Sequence, residues 1–331
     1  MLMVILGAGA SYDSCADRPP DAFPGESARP PLANYLFAAE HLDYRNFRRQ
    51  FPQFQDVLAE LVPRKGRSVE DALYRLQNEI GKNPKRLQQL TAIRFYLQEL
   101  LTFLAMRWLD EIGNFSNYNA LLDQIQNHIP GEDPVLLVTF NYDTLLESAL
   151  IQHLGVTFDT VHEYLDHSRR FKLFKLHGSV DWAHPVLQRP TMMDTATGGI
   201  IANVARLTIS NDINTRKAFG GTGVLYPAIA IPVKDKSDFE CPNFHVAQLE
   251  QQIPKVTKVL TIGWRGMEKH FLRILGKLNP VSVAVVAGSD VEAAETLKQL
   301  RDVPISFKTE ERYAGFSDTL GDRRLDGFLA A

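Results

Sequence analysis

Short apolar runs that stop at glycine or polar turns constrain this chain more than any other feature. Met1-Leu2-Met3-Val4-Ile5-Leu6 runs unbroken into Gly7-Ala8-Gly9-Ala10-Ser11. Val135-Leu136-Leu137-Val138-Thr139-Phe140 runs into Asn141-Tyr142-Asp143. Phe171–Leu176, alternating apolar and polar, stops at His177-Gly178-Ser179-Val180-Asp181. Val256–Ile262 stops at Gly263, and Val281–Val286 at Ala287-Gly288-Ser289-Asp290. Runs of this length bounded by turn residues read as buried strands, and unbroken apolar strands belong to parallel sheets covered on both faces. Helical spacing follows from Thr144, from about Gly266 to Lys277, and from Val291 to Arg301. This alternation predicts an α/β fold, a doubly wound, Rossmann-like parallel sheet. In such sheets ligands gather outside the carboxyl ends of the strands, so the turn residues should converge.

Between the first two runs the pattern changes. From Leu32 to about His128 apolar residues recur at three and four, and Arg86–Ile112 should be the longest helix of the chain. Ser68 with Asp71 reads as a helix start, and Gly81 with Pro84 as a stop. Residues 32–131 are therefore expected to be a large all-helical insertion, with residues 1–31 and 132–331 forming the sheet domain. Apolar stripes at this spacing are usually core, so no chemistry is assigned to them, although one could pack subunits together. Residues 12–31 hold five prolines and a glycine. A loop of that kind behind a binding turn is a candidate lid. Residues 183–221 read as loop-rich, Leu225–Pro232 as an extended segment too proline-broken for a central strand, His245–Ile253 as a helix, and Ile305-Ser306-Phe307 as an edge strand. The last dozen residues show no usable pattern.

Composition excludes some classes. A formal net charge of −3 gives no reason to expect nucleic acid or an anionic membrane as partner. Two distant cysteines, Cys15 and Cys241, exclude a disulfide framework and a four-cysteine zinc site. No stretch approaches a membrane span, and the first apolar run lacks the features of a signal peptide. A cytoplasmic protein is expected.

At the strand ends each candidate has two readings. Gly7–Ser11 can be a plain strand-to-loop turn or a dinucleotide turn, with Tyr12 where the third glycine of the usual fingerprint would stand. Asp143 can cap the following helix or hold the geometry of Asn141, which in turn can serve the turn or orient a water or a ribose hydroxyl. His177 can be structural, or can take a proton near neutral pH, with Gly178 leaving space for a sugar. Asp290 can cap the helix from Val291 or accept hydrogen bonds from an adenosine ribose.

Taken together, the turns resemble those of the sirtuin family. Gly7-Ala8-Gly9-Ala10-Ser11 matches its glycine-alanine-glycine-x-serine turn, Thr139-Phe140-Asn141-Tyr142-Asp143 its threonine-x-asparagine-x-aspartate turn, and His177-Gly178 its histidine-glycine pair, in the same order. The chain departs from deacetylating sirtuins in lacking a four-cysteine zinc module. Asp21 and Phe23 are only an echo of the family's stretch after the first turn, and Gly263-Trp264-Arg265 stands where its adenosine-contacting glycine-threonine-serine turn would be. It is more similar to divergent, zinc-free bacterial sirtuin-like proteins. That resemblance implies NAD as substrate, hydrolysis of its nicotinamide–ribose bond, and a place as effector of an antiphage defence system. The expected roles follow from it. Backbone N–H groups of Ala8–Ala10 and the Ser11 hydroxyl take the pyrophosphate, with Gly7, Gly9, Gly263 and Asp290 also in the cofactor site. Asn141 orients water, His177 is general base, and Asp143 braces the nicotinamide end. A homo-oligomer and a regulatory partner protein are expected. The competing functions are a non-catalytic NAD or ADP-ribose sensor and an NAD-dependent protein deacylase or ADP-ribosyltransferase.

Overall fold

The computed structural model describes residues 1–20, 28–43, 46–62, 68–129, 131, 133–187, 197–220, 223–233 and 238–331. The described strands are β1 (Leu2–Leu6), β2 (Val135–Thr139), β3 (Phe171–Lys175), β4 (Gly178–Pro185), β5 (Asn214–Thr215), β6 (Leu225–Ile229), β7 (Lys258–Ile262), β8 (Val281–Ala287) and β9 (Phe307–Ala314). Those expected at β1, β2, β3, β7 and β8 form, with four others. Six strands make one sheet in the order β3-β2-β1-β7-β8-β9, and every pairing in it is parallel. Counting these six in chain order, this is the 3-2-1-4-5-6 arrangement of dinucleotide-binding folds. All residues of β1 and β2 are buried, as unbroken apolar strands between two helical layers must be.

Strand order reverses at β1. Leu6 lies beside Thr139 of β2 on one side and Ile262 of β7 on the other. The crevice beyond the carboxyl ends of β1, β2 and β7 is thus the topological switch point.

Between β1 and β2 every regular element of the described residues is helical: α1 (Ala8–Tyr12), α2 (Ala39–Asp43), α3 (Phe47–Gln50), α4 (Gln55–Leu61), α5 (Val69–Asn78), α6 (Lys85–Glu111) and α7 (Asn117–His128), with short 3-10 turns. Ser68 starts α5 with a reciprocal capping box to Asp71. The 27-residue α6 is the longest helix. Its Tyr96 ring lies against Phe37, Phe47, Phe51 and Phe54, and the side chains of these helices join the same core as the sheet. The remaining helices are α8 (Leu145–Leu154), α9 (Thr197–Asn203), α10 (Asn243–Gln252), α11 (Lys269–Leu275), α12 (Asp290–Arg301), α13 (Phe316–Gly321) and α14 (Asp326–Ala330). No helix among the described residues is long and apolar enough to cross a membrane.

Three expectations need correction. The stretch from 183 is not all loop: β4 runs to Pro185 and pairs antiparallel with β5 and β6 in a second sheet, while Met192, Met193 and Gly221 lie outside the described residues. The edge strand is longer and later than Ile305–Phe307. β9 has one neighbour, and its Lys308, Thr309, Glu310 and Arg312 are exposed, so its sequence reads as surface. The last dozen residues contain α14, whose Phe328 and Leu329 are buried.

Candidate active site

The site is built by two strand ends and one helix. Beyond β2, Asn141 is buried, and its Nδ2 donates to the Gly7 carbonyl at 2.9 Å and to Ser11 Oγ at 2.9 Å. The Tyr118 hydroxyl, from the first turn of α7, lies 2.8 Å from Ser11 Oγ and 3.3 Å from Asn141 Nδ2. A carbonyl oxygen can only accept, so the Gly7 contact fixes which end of the amide is nitrogen. Both Nδ2 protons are spent within the protein. Oδ1 is left as the amide's open acceptor, since no donor among the described residues reaches it. Asn141 and Gly7–Ser11, far apart in sequence, therefore converge.

The glycines do different work from that expected. Gly263 holds φ +60°, and a Cβ there would lie 2.2 Å from the Ala10 nitrogen, while one on Gly7 would lie 2.5 Å from the Gly263 carbonyl oxygen. The bare backbones serve each other, packing the ends of β1 and β7 together. The Gly9 N–H donates to the Gly263 carbonyl and the Ala10 N–H to the Gly7 carbonyl, so neither is available to a pyrophosphate. Ser11 is 1% exposed, which places it behind Asn141 rather than at an open surface. Ala8 alone of this turn is exposed.

Asp143 takes the capping role. Its Oδ1 accepts the Leu145 N–H at 3.1 Å where α8 begins. Its carbonyl accepts from Lys175 Nζ at 2.5 Å. That ammonium is almost completely buried and pairs at 2.9 Å with Glu147 Oε1 on α8, which Tyr164 also approaches at 3.3 Å. Burial raises the Glu147 pKa, and the Lys175 charge opposes the rise. A buried ion pair thus pins the Asn141–Asp143 turn from below.

His177 joins the two sheets between β3 and β4. It is buried, with its ring 4.8 Å from Phe140 and 6.4 Å from Tyr142, the two residues flanking Asn141. Phe140 in turn stacks on Trp264 at 5.9 Å, so the Trp264 indole is core, and its Nε1 donates to Glu268. Gly178 holds φ +85°, and a Cβ there would lie 2.0 Å from the Ala228 carbonyl oxygen. That glycine admits β6 and makes no room for a sugar. Asp290 is exposed in the first turn of α12, whose cap is Ser289, accepting the Glu292 N–H. It lies beyond β8, two strands from β1, away from the Asn141 cluster.

The described flanks of loop 12–31 are tied down, which does not suit a freely closing lid. Asp13 accepts the N–H groups of Phe316 and Ser317, Trp108 donates to Ser14 Oγ, and Arg29 bonds the Tyr12 carbonyl and lies over the Trp108 ring at 4.6 Å. Residues 21–27, with Asp21 and Phe23, lie outside the described residues. Among the described residues no group of three or more His, Cys, Asp or Glu could hold a metal ion. Tyr118 was not among the sequence candidates. Its only signal is the asparagine on either side, Asn117-Tyr118-Asn119, at the start of a helix.

Residues 135–206 match the family described as SIR2-like domain. This part of the chain is sirtuin-like. The sirtuin-like segment contains Asn141, Asp143 and His177, while Gly7–Ser11, Tyr118, Gly263 and Asp290 lie outside it. No curated protein matches the sequence. Among solved structures, the chain resembles a Sir2 homologue mutant in complex with 2′-O-acetyl ADP ribose, at 11% identity over 100% of this chain and 93% of that one, TM-score 0.47. It also resembles a Sir2 homologue in complex with NAD, at 10% identity over 99% and 90%, TM-score 0.42. No residue's role rests on overlaps of that size.

Proposed function

We propose that the protein binds NAD at the carboxyl edge of the parallel sheet and hydrolyses the bond between nicotinamide and ribose. One observation carries this reading. At the switch point of a dinucleotide-type sheet, a buried amide is locked so that its only open group is an acceptor. Such an oxygen can hold one water, or one ribose hydroxyl, in a fixed place. Its place in a sirtuin-like segment supports NAD as the ligand.

In the reaction the bond from ribose C1′ to the pyridinium nitrogen breaks, and its electron pair leaves with nicotinamide, which departs neutral. The water oxygen bonds to C1′ and its proton passes to His177, then to solvent. Positive charge grows on the ribose as the bond lengthens, so rate depends on a rigidly held ribose and one placed water. Asn141 Oδ1 orients that water. His177, held between Phe140 and Tyr142, is the general base, a task suited to imidazole near neutral pH. Asp143 keeps the turn in shape through its cap and its carbonyl, and Ala8 and Asp290 meet the pyrophosphate and adenosine ribose. The sequence holds two cysteines, too few for the four-cysteine module of deacetylating sirtuins, and for that reason the reading takes hydrolysis over deacylation.

Incubation with NAD should release nicotinamide and ADP-ribose, followed by chromatography. Asn141→Ala should lower the rate by about 100-fold or more, the loss expected when a positioning group goes. His177→Ala should lower it by about 100-fold to 10,000-fold, as for a lost general base. Binding of NAD without turnover would make the protein a sensor. Turnover only with an acetyl-lysine peptide would make it a deacylase.

A further inference from the structure

The Asn141 amide can do its work only if it does not swing. An isolated asparagine side chain has a broad terminal torsion, so its direction must be imposed. Three acceptors impose it. Gly7, just after β1, supplies a carbonyl, Ser11 a hydroxyl from α1, and Tyr118 a hydroxyl from α7. The first two belong to the strand-end turn. Tyr118 comes from a different element, in the helical stretch between β1 and β2.

We propose that Tyr118 is a positioning residue for the candidate reaction, acting through Ser11 to hold the Asn141 amide at one angle. This rests on the NAD-hydrolase reading above. Count the protons. Nδ2 has two, one on the Gly7 carbonyl and one directed at Ser11 Oγ, closer at 2.9 Å than the Tyr118 oxygen at 3.3 Å. Ser11 Oγ and the Tyr118 hydroxyl share a further bond of 2.8 Å. Without the Tyr118 oxygen, Ser11 loses its only other side-chain partner among the described residues and can rotate, and the second Nδ2 proton loses its fixed acceptor.

Tyr118 is itself immobile. It is 1% exposed, packs against Phe316 at 6.1 Å, and sits between Asn117, bonded to the Asp13 carbonyl and Ser317 Oγ, and Asn119, which closes the Ser116 capping box. Burial raises the pKa of its hydroxyl far above the working range, so it keeps its proton and can both donate and accept.

The test is Tyr118→Phe, which removes one oxygen and keeps the ring. Steady-state nicotinamide release, KM for NAD and thermal denaturation are measured on wild type, Tyr118→Phe, Ser11→Ala and the double variant. The expected result is a kcat lower by about tenfold, since small misplacements of a reacting group cost that much or more, with KM within about twofold of wild type. Because both residues act through one amide, the two losses should not multiply in the double variant. A kcat unchanged in Tyr118→Phe, or losses that multiply, overturns the positioning role and leaves the hydrolase reading standing. A kcat loss that vanishes at low temperature and tracks a lowered melting point assigns Tyr118 to stability alone and also overturns it. A wild type that neither binds NAD nor releases nicotinamide overturns the hydrolase reading, and the positioning role falls with it.

Discussion

At Gly178 and Gly263 the absent side chain is a packing requirement. Each holds a left-handed φ and faces another backbone at a distance no Cβ tolerates. Strain in that region and forced overpacking each cost about 1–3 kcal/mol. Gly178→Ala and Gly263→Ala should therefore each destabilise the fold by about 2–6 kcal/mol, read as a lowered midpoint in urea. Melting like wild type would show that the backbones at these points can separate. The two glycines also mark what a sequence reading can see. A glycine at a strand end announces a close approach, but not of what. Gly178 was read as space for a sugar and Gly263 as part of the cofactor site, and at each another stretch of this chain takes the space. Asn141 was legible because an asparagine directly after an apolar strand must point into the crevice or cap a helix, and two residues on, Asp143 took the capping task.

At the level of elements, the Lys175–Glu147 pair ties β3 to α8, and the Lys175 bond to the Asp143 carbonyl ties both to the turn between β2 and α8. Removing one partner of a buried pair strands the other charge, which costs about 3–5 kcal/mol. Lys175→Ala should lose that much, whereas Lys175→Met with Glu147→Leu, replacing both charges by apolar groups, should recover most of it. If the double variant is no more stable than Lys175→Ala, the pair is not the tie. If it is stable but slow on NAD, the ammonium's bond to the Asp143 carbonyl matters to the turn separately from its charge. Sequence gave no warning of this pair, since Lys175 in an alternating strand reads as the solvent side. The unbroken strands β1, β2, β7 and β8 were legible because burial on both faces demands apolar residues throughout. β9, with one neighbour, was not. Tyr118 was hidden for a related reason: an aromatic residue at helical spacing is indistinguishable from core until its hydroxyl is seen to meet Ser11.

The whole molecule should weaken in acid in two stages. His245 is buried among Phe174, Trp182 and Phe244, with Nε2 on the Val161 carbonyl and Nδ1 without a partner among the described residues. Burial lowers its pKa from 6.5 to about 4, against the hydrogen bond's opposite pull. For Glu240 burial acts upward, but the His184 hydrogen bond and the Arg94 charge outweigh it and bring the carboxyl from 4.5 to about 2. Both folded pKa values lie below the unfolded ones, so the unfolded chain binds more protons and stability rises with pH. The His245 contribution is complete above about pH 6.5 and is lost on descending to about 4. That of Glu240 is complete above about 4.5 and is lost towards 2. Each is worth roughly 3 kcal/mol. Urea midpoints taken from pH 7.5 to 3 should fall in these windows, and His245→Phe should flatten the first. A profile level between pH 6.5 and 5 in wild type would refute the buried neutral imidazole.

β1 lies at the centre of the sheet, yet its partners come from distant parts of the chain, Leu2 beside Val135 and beside Lys258. On the ribosome the strand emerges long before either neighbour exists. Its apolar backbone edge must wait, shielded only by the helices that follow it, until β7 has been made. Contacts so remote in sequence form slowly and leave strand edges open to misassembly meanwhile. Under the proposed NAD hydrolysis, the same delay is a safeguard for the cell that makes the protein. Gly7, Asn141 and Gly263 cannot meet in a nascent chain, so truncated or stalled products carry no assembled crevice. Pulse-labelled chains released at successive lengths should gain protease resistance in β1 only after residue 262 has cleared the exit tunnel.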